Sequence, residues 1–159
     1  MLNPQLYLNQ NIFSGSVEKQ PTRDGFGKAL VKAGEENKNI VALTGDLKES
    51  TRIEEFANKF PERFFEVGVA EQNLITISAG LANSGKIPFA SSYATFSPGR
   101  NWEQIRTTVC YNNTNVKIVG AHAGLLTGPD GVTHQATEDL ALMLSLPNMK
   151  VVVPVDYWQ

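Results

Sequence analysis

The chain has 159 residues, of which 42% are hydrophobic and 19% charged, a composition typical of one globular domain that buries about two thirds of its unfolded surface. Fourteen basic and sixteen acidic side chains give a formal net charge of −2, and without a basic excess a nucleic-acid partner is not expected. The single cysteine, Cys110, excludes an internal disulfide framework and a cysteine-rich zinc site. It indicates a reducing compartment, and we expect a cytoplasmic protein in which Cys110 is a small apolar filler.

The first twenty residues, MLNPQLYLNQNIFSGSVEKQ, have neither a basic start nor a continuous apolar stretch. They therefore match neither a signal peptide nor a transit peptide. Their Asn, Gln, Ser and Gly content predicts an N-terminal arm over residues 1–20 that lies on a surface. No segment approaches the roughly 18 apolar residues of a membrane span, so no membrane partner is expected.

From Thr22 onward, segments with helical periodicity alternate with short apolar segments. The first predicted helix is capped by Thr22 and has an apolar stripe of Phe26, Ala29, Leu30 and Ala33, and the second starts at Ser50 or Thr51 and is ended by Pro61. The third, over 70–83, is apolar on most sides and is expected to be buried. The last two are a helix marked by Trp102, Ile105 and Val109 and a helix over 137–146. The predicted strands are 40–44, 64–67, 87–90, 116–121 and 151–153.

Five short strands separated by helix-length segments predict an α/β protein, a three-layer α/β/α sandwich with a mainly parallel sheet. Ligands of such sheets bind at the carboxyl ends of the strands. The segments that could carry chemistry are therefore the loops after Thr44, Val67, Ala90 and Ala121. No P-loop, no Rossmann fingerprint and no GxSxG elbow occurs in the sequence.

Carboxylates follow the first two strands. Asp46 and Ser50 could face a cleft, but both residue types are also common in turns and caps. Glu71 lies in the first turn of the helix predicted to be buried, where the helix dipole favours a charged carboxylate and burial disfavours it. Spacing alone does not distinguish a functional glutamate from one that only complements the dipole.

The next two loops carry rings. Tyr93 and Phe96 could stack on a flat ligand or pack in the core. His122 and His134, both histidines of the chain, share one loop with Asp130 between them. This loose spacing is a weak indication of a metal site. Proton transfer, or hydrogen bonding to a polar substrate, is favoured because histidine titrates near neutrality.

Three segments in this order, VGVAEQN at 67–73, YATFSPGRNWEQIR at 93–106 and GPDGVTHQ at 128–135, resemble the pyrimidine-binding domain of transketolase, a thiamine-diphosphate enzyme. The resemblance extends over about residues 21–156 and implies the thiamine-diphosphate-binding fold for that range. The run FSPGRNWEQIR is similar to that of the split transketolases, whose second subunit begins with this domain.

The resemblance implies a role for each matching residue. Glu71 matches the glutamate that hydrogen-bonds a ring nitrogen of the cofactor's aminopyrimidine and promotes deprotonation of the thiazolium carbon. Phe96 matches the aromatic residue that stacks on the aminopyrimidine, with Tyr93 as its neighbour, and Asp46 matches an acid beside the cofactor. The matches expected to bind substrate are His122, Asp130 and His134, at the sugar hydroxyls and in proton movements, and Arg23 and Ser50, near the phosphate.

Two departures qualify this resemblance. Gly99 stands where many relatives carry a further aromatic residue, so part of the wall around the ring is expected from elsewhere. Relatives hold the diphosphate and a divalent metal, Mg²⁺ or Ca²⁺, on a separate domain with a Gly-Asp-Gly motif, which this sequence lacks. We therefore expect no metal ligand in this chain, and we expect residues 157–159 to begin a linker to an absent third domain.

The leading hypothesis is a truncated transketolase subunit that transfers a two-carbon ketol unit between sugar phosphates, as in the pentose phosphate pathway. It is expected to be inactive alone and to need a diphosphate-binding subunit in a homodimer or heterotetramer. Two alternatives stay open. Ala123 and Gly124 after His122 resemble the 1-deoxy-D-xylulose-5-phosphate synthases, and the missing domains are also compatible with a non-catalytic assembly module.

Overall fold

A computed structural model describes residue 11 and residues 13–159. Much of the predicted N-terminal arm, residues 1–10 and 12, lies outside the described residues. The strands are β1 Ile40–Thr44, β2 Phe64–Glu66, β3 Ile87–Tyr93 and β4 Lys117–Ala121. The helices are α1 Thr22–Glu36, α2 Glu54–Lys59, α3 Glu71–Asn83, α4 Trp102–Gln104 and α5 Asp139–Leu144, with a π-helix at Ile105–Cys110 and 3₁₀ turns at Pro61–Arg63, Gly128–Asp130 and Val132–His134.

The sheet separates two apolar clusters. All strand pairs are parallel, in the order β2-β1-β3-β4. Along the fully buried β1, Ile40 and Ala42 pack with side chains of α1 and α2. Val41 and Leu43 belong to a second cluster with α3, the π-helix and Met143 of α5. Because successive side chains of a strand point to opposite faces, helices cover both faces. The predicted three-layer α/β/α sandwich with a parallel sheet is confirmed.

The register brings the carboxyl ends of the strands to one edge. Thr44 at the end of β1 pairs with Glu66 of β2 and with Ser91 of β3. Tyr93 at the end of β3 pairs with Ala121 at the end of β4. The loops that follow all four strands therefore leave the sheet on the same side, which is where ligands of parallel sheets bind.

The start of α1 differs from the prediction. Thr22 is the first helical residue rather than the cap, and Pro21 occupies the N-cap position with no side-chain cap hydrogen bond. The proline ring fixes φ at −63°, and its ψ of 136° is extended. An extended residue before the first turn is the usual N-cap conformation, so backbone geometry replaces the hydroxyl cap.

The start of α2 is also later than predicted, at Glu54 rather than at Ser50 or Thr51. The segment before it forms a turn in which the Thr51 N–H donates to the Leu47 carbonyl. Arg52 then adopts a φ of 63°, which is incompatible with a right-handed helix. Because of this turn, the helix begins about one helical turn later than predicted.

Helix α3 is amphipathic rather than apolar on most sides. Its buried residues are Glu71, Leu74, Ile75, Ser78 and Ala79. The opposite face, with Gln72, Asn73 and Thr76, is exposed. The prediction of a helix buried on most sides is therefore wrong for this face. Leu74 and Ile75 join the cluster under β1 and anchor the helix whose first residue is Glu71.

The helix after Trp102 widens into a π-helix at Ile105–Cys110. The hydroxyls of Thr107 and Thr108 donate to carbonyls four residues earlier, and such bonds compete with the α-helical pattern. Cys110 is buried at the end of this segment, and burial raises the pKa of its thiol. Its position fits the predicted role of an apolar filler.

The C-terminal prediction is wrong in part. Residues 151–153 do not join the sheet, which has four strands in the described part of the chain rather than five. Val152 and Val153 are 85% and 62% exposed. A run of β-branched residues gives only a propensity, and a strand also needs a neighbour for its backbone groups. Helix α5 covers Asp139–Leu144, less than the predicted 137–146.

Over the described residues, no helix combines the length and the apolar character needed to cross a bilayer.

Replacement of Leu74 by alanine tests the anchoring of α3. Leu74 is 0% exposed, so we expect Leu74→Ala to lower the free energy of unfolding by about 2–5 kcal/mol, measured by urea denaturation. Leu144→Ala is the matched control, because Leu144 is 71% exposed at the end of α5. A control loss as large as that of Leu74→Ala would contradict the described core.

Candidate functional site

Glu71 is a buried carboxylate held by the loop that follows β3. Its side chain is 2% exposed, and its Oε2 lies 2.7 Å from Nη1 of Arg100, whose side chain is 50% exposed. Nδ2 of Asn101 donates to the Glu71 carbonyl at 2.9 Å and to Oγ of Ser97 at 3.1 Å. The loop therefore fixes the backbone at the start of α3 and supplies a cation to a carboxylate that is otherwise desolvated.

Phe96 and Glu71 contact the same guanidinium. The guanidinium carbon of Arg100 lies 4.7 Å from the centroid of the Phe96 ring, so one guanidinium contacts both the carboxylate and the ring. Tyr93 stacks nearly parallel on Phe96 at 6.0 Å between centroids, with 9° between planes. Glu71 and Val69 both line an open cleft. Tyr93 is buried and Phe96 is half-buried, so Phe96 is the ring that a ligand can reach.

Both histidines lie on this pair of rings. The centroid of His122 is 4.2 Å from that of Tyr93, and the centroid of His134 is 5.3 Å from that of Phe96 in an edge contact. Oγ1 of Thr133 lies 3.0 Å from Nδ1 of His134. The structure therefore brings together four predicted site residues that the sequence separates into two loops.

Arg23 joins the site from α1 and selects the tautomer of a neutral His122. Its Nη1 lies 3.2 Å from Nε2 of His122. A guanidinium can only donate, so Nε2 accepts and a neutral His122 carries its proton on Nδ1. Burial, followed by the charge of Arg23, lowers the pKa of His122, and the charge of Asp130 opposes this shift. Nδ1 is buried and has no hydrogen-bond partner among the residues described, so the N–H of a neutral His122 is left unsatisfied.

The other predicted residues lie in the loops after β1 and β4, at the carboxyl edge of the sheet. Ser50 contributes its backbone carbonyl, which accepts from Arg23 Nη1 at 3.3 Å. Asp130 is exposed in a 3₁₀ turn and acts on His122 through its charge. Asp46 is exposed, with a φ of 61°. The roles of these three side chains stay predictions.

Glu66 is a structural residue of the site that the sequence analysis missed. Its Oε1 accepts the Asp46 N–H at 2.7 Å and the Gly68 N–H at 3.0 Å, which joins the loops after β1 and β2. A Cβ at Gly45 would lie 2.8 Å from the Gly68 carbonyl oxygen, so the two loops pass in close contact there. The sequence pattern along strand β2 does not by itself indicate this contact.

Arg100 and Asn101 were also given no role by the sequence analysis, although both belong to the segment 93–106 that carries the resemblance. Gly99 could have indicated a role for its neighbours, because a glycine there leaves part of the wall around the ring to be supplied by another residue. A Cβ at position 99 would lie 2.0 Å from the carbonyl oxygen of Thr95, so no aromatic side chain fits there. Arg100 lies over Phe96 instead.

The family model described as "Transketolase, pyrimidine binding domain" matches residues 18–159. The chain therefore belongs to the transketolase family, as a pyrimidine-binding domain. The fold and this site agree with that assignment, since the segment that resembles the family forms the loops at the carboxyl edge of the sheet.

Individual relatives agree with this result. The chain is 52% identical over 136 residues to a protein of Methanocaldococcus jannaschii described as a transketolase C-terminal section, covering 86% of this chain and 43% of the relative. It is 38% identical over 144 residues to a 6-deoxy-6-sulfo-D-fructose transketolase subunit of Clostridium sp. strain MSTE9, covering 91% and 45%. The chain thus spans less than half the length of these curated relatives.

Solved structures are similar as well. A split-gene transketolase, solved as an inactive β4 tetramer, superposes with a TM-score of 0.77 at 54% identity, covering 88% of this chain and 45% of that one. A transketolase of Pichia stipitis gives a TM-score of 0.78 at 22% identity, covering 89% and 23%. The second match shows the fold alone.

The transketolase family depends on thiamine diphosphate, and the residues of this site fit the pyrimidine half of that cofactor. A buried carboxylate can bond a ring nitrogen, and the Phe96 face can stack on a flat ring. Within residues 13–159, no group of three or more His, Cys, Asp or Glu side chains is arranged to hold a metal ion.

Arg23→Gln tests the electrostatics of His122. Removing the cation is expected to raise the pKa of His122 toward its ordinary value of about 6.5, read from the imidazole proton shifts in an NMR titration. Because the folded-state pKa is lowered, the unfolded chain takes up this proton first as the pH falls. His122 therefore costs stability below about pH 6.5, and the variant should lose less stability there.

Arg106→Gln is the control for this titration, because it removes the same charge from an exposed position over Trp102. It should leave the pKa of His122 unchanged. A His122 pKa that stays constant or falls in Arg23→Gln would show that the Arg23 contact does not act on the imidazole.

Proposed function

We propose that this chain is the pyrimidine-binding component of a thiamine-diphosphate-dependent transketolase, which transfers a two-carbon ketol unit from a ketose phosphate to an aldose phosphate. The observation that carries the proposal is that one guanidinium, that of Arg100, contacts both the buried Glu71 carboxylate and the Phe96 ring at the carboxyl edge of the sheet, so a single planar group can reach both. Membership of the transketolase family supports it.

Glu71 and Phe96 would bind and orient the aminopyrimidine. Glu71 would share a proton with a ring nitrogen, and its 2% exposure keeps water from competing for that proton. Phe96 would stack on the ring and Tyr93 would support Phe96 from behind. When bound, thiamine diphosphate supplies the stabilised carbanion that allows a carbon–carbon bond next to a carbonyl to be broken and remade.

The residues proposed to bind sugar phosphate lie beside these rings. His122 and His134 are proposed to bind the sugar hydroxyls and to assist proton movements. Arg23 is a fixed cation next to His122, suited to a phosphate oxygen together with Ser50. Asp130 is proposed to accept from a sugar hydroxyl, and Asp46 is proposed to lie beside the cofactor.

A partner subunit is proposed to complete the site. The chain spans less than half of its relatives, and two of them are described as a C-terminal section and as a subunit. The similar split-gene transketolase was solved as an inactive β4 tetramer. We propose a diphosphate-binding subunit that holds the diphosphate and Mg²⁺ or Ca²⁺, in a cytoplasmic dimer or heterotetramer that acts in pentose phosphate metabolism.

Glu71→Gln tests the proposed function. The chain is mixed with a diphosphate-binding transketolase subunit, thiamine diphosphate and Mg²⁺, and ketol transfer from xylulose 5-phosphate to ribose 5-phosphate is measured. We expect the wild type to be active only in the mixture and Glu71→Gln to lower the rate by about 10²–10⁴-fold, because the amide cannot share the proton.

The matched control is Glu55→Gln, an exposed glutamate in the first turn of α2. It should retain the wild-type rate, since it complements a helix dipole away from the rings. Equal rates for Glu71→Gln and the wild type would refute the role given to Glu71.

A second activity is favoured by one observation. The chain is 39% identical over 147 residues to a 1-deoxy-D-xylulose-5-phosphate synthase of Clostridium beijerinckii, although it covers only 24% of that relative. In the same mixture, turnover of pyruvate with glyceraldehyde 3-phosphate, without ketol transfer, would replace the transketolase assignment. Association with the partner subunit without turnover of either pair would favour a non-catalytic assembly module.

A further inference from the structure

The guanidinium of Arg100 occupies the contacts that the proposed function gives to the aminopyrimidine ring. Its Nη1 bonds Oε2 of Glu71 at 2.7 Å, and its central carbon lies 4.7 Å from the centroid of Phe96. Like an aminopyrimidine, a guanidinium is planar and carries N–H groups at its edge. It can therefore bond the carboxylate and lie over the ring at the same time, and two planar groups cannot occupy this position together.

Arg100 differs from its neighbours in its freedom to leave. Its side chain is 50% exposed, whereas that of Glu71 is 2% exposed. Its backbone is fixed, because the Arg100 N–H donates to the Phe96 carbonyl at 2.8 Å and Asn101 holds the start of α3. A rotation of the side chain toward solvent would release Glu71 and Phe96 without moving the loop.

The charge of Arg100 explains why it lies in this position. A buried carboxylate without a cation or hydrogen-bond donor is strongly unfavourable. Nη1 of Arg100 meets this requirement for Oε2 of Glu71, and a bound aminopyrimidine would meet it in turn through a proton held between its ring nitrogen and the carboxylate. Arg100 and the aminopyrimidine are therefore alternative partners of Glu71, and the difference in free energy between the two arrangements contributes to the affinity for the ring.

We propose that Arg100 is a competing occupant of the pyrimidine site: its guanidinium must leave Glu71 and Phe96 before an aminopyrimidine binds, and it thereby sets the affinity of the site. The inference rests on the proposed function and adds a residue that determines cofactor affinity without being required for binding. Arg100 compensates the charge of Glu71 in the absence of the cofactor, and its presence weakens the binding of the aminopyrimidine.

The test uses the full chain and 4-amino-5-hydroxymethyl-2-methylpyrimidine, the aminopyrimidine half of the cofactor, so that no partner subunit or activity is needed. Dissociation constants are measured by NMR titration for the wild type, Arg100→Ala and Arg106→Ala. Arg106 is the matched control because it is an exposed arginine over Trp102. We expect Arg100→Ala to lower the dissociation constant about three- to tenfold, and Arg106→Ala to leave it unchanged.

A second variant and a second readout guard against an indirect effect. Arg100→Lys keeps the charge but loses the planar fork, so its dissociation constant should lie between those of the wild type and Arg100→Ala. In the wild type, saturation with the probe should move the Arg100 side-chain resonances toward those of a solvated arginine. Resonances that stay unchanged at saturation would contradict displacement.

The remaining outcomes separate this inference from the proposed function. Binding that is abolished by Phe96→Ala, but is unchanged or weakened in Arg100→Ala, would overturn the competing role of Arg100 and leave the proposed function intact. Failure of the wild type and of Arg100→Ala to bind the probe at any concentration tested would contradict the proposed function, and the inference with it.

Discussion

The burial of a carboxylate in the first turn of α3 constrains the rest of the site. Glu71 is 2% exposed at the point where the helix begins, and the N-terminal end of a helix dipole only partly compensates such a charge. The remaining compensation has to come from another element, and the loop after β3 supplies it. Arg100 contacts the carboxylate and Asn101 the backbone carbonyl of the same residue. The path of that loop then fixes Phe96 beside Glu71.

The parallel sheet makes this convergence possible. Because its strands end at one edge, residues from loops far apart in sequence meet there without long connections. The Glu66 carboxylate joins the loops after β1 and β2. The Tyr93 ring at the end of β3 packs against His122 from the loop after β4. These contacts join the loops at the base of the site. The half-exposed Arg100 and the exposed residues of the 3₁₀ turns are the parts of the site that solvent and a ligand can reach.

Local sequence patterns predicted the parts of this structure that depend on local forces. The apolar run at 40–44 formed β1 because each of its residues could be buried. The pairs Arg100 with Glu71 and Glu66 with Asp46 join residues 29 and 20 positions apart, and no periodicity reports such contacts. The failure at 151–153 has a related cause, since β-branched residues favour a strand only where a neighbouring strand accepts it. The roles of the site residues came from the resemblance and not from spacing.

The proposed function makes this chain half of a cofactor site, which binds the pyrimidine ring while a partner subunit holds the diphosphate and its metal. Isothermal titration of thiamine diphosphate and Mg²⁺ tests this claim most directly, with the chain alone, a diphosphate-binding transketolase subunit alone, and their mixture. We expect the mixture to bind at least about tenfold more tightly than either component. Binding by the isolated chain as tight as that of the mixture would contradict the half-site.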